Sequence, residues 1–76
     1  MIALGIDPGT AICGYGFVET QGSRLIPRAY GSIFTTPDMR MEDRLMKIYD
    51  ELDALIKEYK PDVMGVEKLF FSRNVT

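Results

Sequence analysis

The chain contains no histidine and a single cysteine, Cys13. Those two shortages exclude disulfide frameworks, zinc sites built on Cys and His, and every catalytic triad that needs a histidine base. Long apolar runs are missing too. The stretch from Ile2 to Ile6 lacks a basic flank and is far too short for a signal-peptide core or a membrane span. A cytoplasmic protein with no membrane partner is therefore expected. Nor is there an excess of positive charge: 9 Lys and Arg against 11 Asp and Glu give a net charge of −2. DNA-binding domains are usually basic. The balance argues against nucleic acid, unless metal-site carboxylates lower it locally or basic surface lies elsewhere in a longer protein. No repeat, linker or low-complexity tract interrupts the 76 residues, which suffice for one small domain. The apolar and charged fractions, 46% and 26%, are those of a globular chain rather than a disordered one.

What is present alternates between strand and helix signals. Ile2 to Asp7 reads as a short strand stopped by Asp7-Pro8-Gly9. In that turn Pro8 pre-sets φ, Gly9 accepts positive φ, and Asp7 can accept hydrogen bonds from the turn amides. Cys13 to Thr20 reads as a second strand, Gln21-Gly22-Ser23 as a reversal, and Arg24 to Phe34 as a third strand. Short turns make this an antiparallel meander, with Gly14, Gly16 and Gly31 marking bulges or close backbone approach. Thr36-Pro37-Asp38 reads as a helix opening. Leu45, Ile48, Tyr49, Leu52, Leu55, Ile56 and Tyr59 follow at helical spacing and define an apolar stripe, opposite Asp43, Lys47, Asp50, Lys57 and Glu58. The Met and Tyr residues of this helix read as core, as does Cys13. Pro61 ends the helix. Val63 to Val66 has no polar alternation and reads as a strand buried on both faces in parallel pairing.

The helix is the crossover that a parallel strand needs. A right-handed crossover carries the fourth strand past the meander to lie beside the first. The expected architecture is an α/β mixed sheet in order 3-2-1-4, strand two antiparallel to the rest. One helix covers one sheet face only. The fourth strand also lacks a neighbour on its free edge, and Phe70 to Thr76 reads as an interrupted segment. Residues 1–76 are accordingly expected to form the N-terminal, truncated part of a single larger domain.

Two carboxylates stand out by position. Asp7 closes the first strand and Glu67 the fourth. If those strands are parallel neighbours, their C-terminal ends lie roughly 5 Å apart. Ligands of open α/β sheets bind at such strand ends. Two acids that close repel unless a cation sits between them, and Mg²⁺ favours one or two carboxylates with water and substrate phosphate. The pair reads as half of a Mg²⁺ site. The blander readings are that Asp7 is a turn residue and that Glu67 merely emerges into solvent. Phe70 and Phe71 are core residues or base-stacking aromatics. Lys68 and Arg73 are solvated charges or phosphate contacts.

Gly5-Ile6-Asp7-Pro8-Gly9-Thr10 with Gly14-Tyr15-Gly16 resembles the opening motif of the RuvC family of Holliday junction resolvases. Arg44-Leu45 through Ile48-Tyr49 resembles the family's crossover helix, and Val66 to Asn74 its second acidic motif. The similarity runs through essentially the whole chain in order. It implies a ribonuclease-H-like fold and an endonuclease of DNA recombination and repair that makes paired nicks in four-way junctions. It also implies a homodimer, with a branch-migration helicase complex as a possible partner. Four acids would hold two Mg²⁺ ions, and Asp7 and Glu67 match the first two. Phe70 matches an aromatic placed near the junction bases. The other two acids, and most of the dimer helix, would follow Thr76, so the piece alone is expected to be inactive. Two other classes compete. Actin-like and sugar-kinase ATPases open with a similar strand and turn, but need a second phosphate loop, and the stretch from Glu67 to Asn74 fits them less well. A non-catalytic scaffold domain is the other.

Overall fold

Alternation along the first strand sets the layers. In the computed structural model, which describes residues 1–66, β1 spans Ile2–Asp7 with Leu4 and Ile6 buried and Gly5 and Asp7 exposed. Successive strand side chains point to opposite faces, so one face of β1 is apolar and the other carries glycine and acid. β2 (Ile12–Gln21) runs antiparallel to β1, with Leu4 opposite Phe17 and Ile6 opposite Tyr15. Opposed residues share a face, so Cys13, Tyr15 and Phe17 extend the apolar layer. β3 (Arg24–Phe34) completes the meander and brings Ile33 opposite Cys13. Gly22, at φ 62, takes the first position of the β2–β3 turn, a conformation that glycine adopts without steric cost.

The helix α1 (Met41–Tyr59) follows β3, and β4 (Val63–Val66) returns parallel to β1. The sheet order is β3-β2-β1-β4, as the crossover argument requires. Leu4, Ile6, Cys13, Phe17 and Ile33 form the core, and Ile48, Leu52, Leu55, Ile56 and Tyr59 of α1 pack on it. The Phe17 and Tyr59 rings meet at 4.8 Å. No described helix is long and apolar enough to cross a membrane.

Four local expectations are corrected. The helix begins at Met41, not at Pro37. The Thr36 carbonyl accepts the Met39 amide at 3.1 Å, closing a turn with Pro37 in its second position, and Arg40 then caps the helix in extended geometry. Thr, Pro and Asp suit the start of a turn as well as they suit a helix opening. The register shift between β2 and β3 does not lie at a glycine. Phe17 faces Ala29 and Val18 faces Pro27, leaving Arg28 as the extra residue. Proline lacks an amide proton and is tolerated here because β3 is an edge strand. At Gly31 an added Cβ would lie 2.7 Å from the Tyr15 hydroxyl, so what comes close there is the end of a side chain and not backbone.

On α1, Leu45 and Tyr49 of the expected stripe are exposed, as are Met41 and Met46. No described element packs on that flank. β4 pairs in parallel as expected but is exposed throughout rather than buried. The core that α1 covers is built from β1, β2 and β3, so β4 lies beyond its reach.

Candidate functional site

Asp7 is the last residue of β1 and faces Gly14, which in turn faces Ser32. Its side chain is exposed at the C-terminal end of the strand. A Cβ added at Gly14 would stand 3.6 Å from the Asp7 Cβ, an ordinary contact, so the two positions are direct cross-strand neighbours. Among the described residues, no amide or side chain is bonded to that carboxylate. The expected capping of the turn amides by Asp7 is therefore not found.

The turn after Asp7 is shaped by Gly9, where a Cβ would lie 2.5 Å from the Ile12 carbonyl oxygen. Real Cβ atoms do not come that close to backbone, so only glycine fits this bend. Thr35, just past β3, holds the turn from the other side. Its amide donates to the Ala11 carbonyl at 3.0 Å and its hydroxyl donates to the Thr10 carbonyl. The Arg44 Nε donates to the same hydroxyl at 2.9 Å. Sequence reasoning singled out neither Thr35 nor this use of Arg44. A threonine after a strand carries no mark of its partners when these lie 25 and 9 residues away.

Cys13 lies behind the turn. Burial pushes its thiol up, a hydrogen bond from the Gly9 backbone pulls the other way, and the Asp7 charge adds to the rise. The thiol stays neutral and acts as core, as expected.

The register of β4 is fixed by Asp62, which accepts the Ile2 amide at 2.8 Å through its carboxylate and donates its own amide to Ile2 at 2.7 Å. Val66 consequently sits beside Ile6, so the last described residue of β4 lies one residue short of the level of Asp7 on the adjacent parallel strand. Glu67, Lys68, Phe70, Phe71 and Arg73 lie outside the described residues. Within the described residues, no three His, Cys, Asp or Glu side chains cluster as a metal-binding group, and Asp7 is the one site candidate whose position is seen.

A meander, a crossover helix and a fourth strand parallel to the first, with an acid at the end of β1, make up a ribonuclease-H-like fold. Among solved structures the same arrangement recurs in Thermus thermophilus RuvC, at 25% identity and TM-score 0.81 over 90% of this chain and 43% of that one. The T. thermophilus RuvC in complex with a Holliday junction substrate superposes at TM-score 0.84 with 23% identity. The Aquifex aeolicus PPX-GPPA enzyme shares the fold alone, at 14% identity and TM-score 0.69 over 87% of this chain.

The family model described as crossover junction endodeoxyribonuclease RuvC matches residues 3–76, and the chain belongs to that family. The RuvC of Heliobacterium modesticaldum is 53% identical over 76 residues, covering 100% of this chain and 47% of the relative. That of Brevibacillus brevis is 50% identical, with 46% of its length covered. The chain thus spans about half the length of the curated relatives it matches.

Proposed function

We propose that this chain forms the N-terminal half of a Mg²⁺-dependent endonuclease that resolves four-way DNA junctions by paired nicks. The observation that carries the proposal is the Asp7 carboxylate, exposed and unbonded among the described residues, at the end of β1 beside the parallel strand β4. Family membership supplies the chemistry to be tested at that position. The fit to Mg²⁺ is good in kind: a carboxylate is a hard oxygen donor, and this one is exposed at the strand end. Glu67 follows Val66 by one peptide bond and is proposed as the second ligand.

In this reading Asp7 and Glu67 bind and orient; neither side chain takes the proton. Two bound Mg²⁺ ions per active site would supply an activated water and stabilise the leaving oxygen. The remaining ligands would come from the half of the protein that follows. Lys68 and Arg73 are assigned to phosphate contacts, and Phe70 and Phe71 to stacking on bases opened at the junction. Paired nicks need two active sites, so the working form is a homodimer. The ATPase alternative has the similar opening strand and turn in its favour and nothing more.

The test is cleavage of a synthetic four-way junction by the complete protein. The reading predicts two symmetric nicks in Mg²⁺, none in chelator, and little cutting of a linear duplex with the same sequence. Equal cutting of the linear duplex would remove the junction from the assignment.

A further inference from the structure

We propose that Thr35 and Arg44 act as positioning residues, forming a clasp that sets where the Asp7 turn holds its carboxylate. The proposal rests on the metal-site reading of Asp7 above and adds a control on it from α1. Thr35 is the one buried polar residue among those described. Burying a hydroxyl without partners is costly, and this one has two.

The direction of its bonds is fixed by chemistry. Arginine can only donate, so the bond from Arg44 Nε uses a lone pair of the Thr35 hydroxyl. The single hydroxyl proton is thereby left for the Thr10 carbonyl. The Thr35 amide takes the neighbouring carbonyl, that of Ala11. Among the described residues, both hydrogen bonds that tie carbonyls of the turn to the body of the molecule therefore end on Thr35. Arg44 itself stands in the first turn of α1, where its amide donates to the Arg40 carbonyl at 2.9 Å. A continuous path runs from the start of α1 through Arg44 and Thr35 to Thr10, three residues from Asp7.

Such a path matters because a metal-binding carboxylate must be held to within about 0.5 Å of its working position. A displacement of about 1 Å costs on the order of 100-fold in rate. Thr35→Val keeps the shape of the side chain and removes the hydroxyl. It strips the Thr10 carbonyl of its donor and Arg44 of its acceptor. Thr35→Ser keeps both bonds. Arg44→Lys keeps the charge and loses the directed Nε donor.

The experiment uses the complete protein. Junction cleavage gives kcat and KM, and hydrogen exchange reads the amides from Gly9 to Ile12 against the core amides of Phe17 and Ile33. For Thr35→Val the expected result is a kcat lowered about 10- to 100-fold, an unchanged KM, and faster exchange confined to the turn. Arg44→Lys should move in the same direction by less, and Thr35→Ser should recover most of the rate. If Thr35→Val also exposes the core amides, Arg44→Lys carries the decision. Normal kcat in the valine and lysine variants, whatever the turn amides do, overturns the clasp. A wild-type protein that fails to cut junctions overturns the metal-site reading instead, and the exchange comparison still decides whether the clasp holds the turn.

Discussion

At the scale of the residue, the candidate site is marked by what Asp7 and Gly9 lack. Asp7 has no partner among the described residues, and Gly9 has no Cβ where one would strike the Ile12 carbonyl at 2.5 Å. Gly9→Ala should destabilise the complete protein by about 1–3 kcal/mol, because backbone must move to admit the methyl group. Gly5→Ala is the control, since a Cβ there meets nothing within 4 Å among the described residues. Urea titration of both variants checks the pair, and equal midpoints would show that the turn yields more easily than its geometry implies. Asp7 was legible in the sequence because Pro8 and Gly9 must stop a strand, and the residue before the stop stands at the strand's end. Thr35 was not legible. Its role exists only once the fold has brought Thr10 and Arg44 to it from opposite directions along the chain.

At the scale of the element, the strands were readable from short segments bounded by turn signals and the crossover helix from its periodicity, and their order followed from the rule that sends a parallel strand back beside the first. The helix start was not, because Thr36-Pro37-Asp38 fits two structures and only the extended Arg40 separates them. The helix end is better defined. Lys60 sits at φ 50 with its amide bonded to the Ile56 carbonyl at 2.8 Å, the left-handed cap position that favours glycine. Lys60→Gly should therefore stabilise the protein by up to about 1 kcal/mol, the left-handed cost removed less the entropy that glycine adds to the unfolded chain. Thermal unfolding of the complete protein measures it, and a lower midpoint would mean that the lysine side chain contributes more there than its backbone costs. Asp62 shows the same dependence on context. Read in sequence it is a polar residue after a proline, yet it locks β4 to β1 through Ile2 and so sets the register that puts Val66 beside Ile6.

At the scale of the whole molecule, two surfaces of the described region remain uncovered. The sheet face away from α1 carries the row Tyr30, Gly16, Gly5, Gly65, in register across all four strands, with Ile12, Leu25 and Phe34 exposed around it. The outer flank of α1 holds a shallow groove of about 420 Å³ lined by Glu42, Leu45, Met46 and Tyr49. Helical spacing placed Leu45 and Tyr49 in one stripe, but which part of a stripe is buried depends on what else packs there, and that is not written in the local pattern. Open apolar faces and the free edge of β4 favour association, so residues 1–76 prepared alone should self-associate and leave junctions uncut. Light scattering that finds a monodisperse monomer would contradict this. The central claim concerns Asp7, and its most direct test is Asp7→Asn in the complete protein. The substitution keeps size and removes the charge. Cleavage of a four-way junction in Mg²⁺ should fall more than about 100-fold, since metal-derived stabilisation of several kcal/mol is lost, while junction binding measured without metal is kept, because it rests on basic groups elsewhere. Near-normal cleavage by the Asp7→Asn protein would return Asp7 to the status of a turn residue and leave the site without its first ligand.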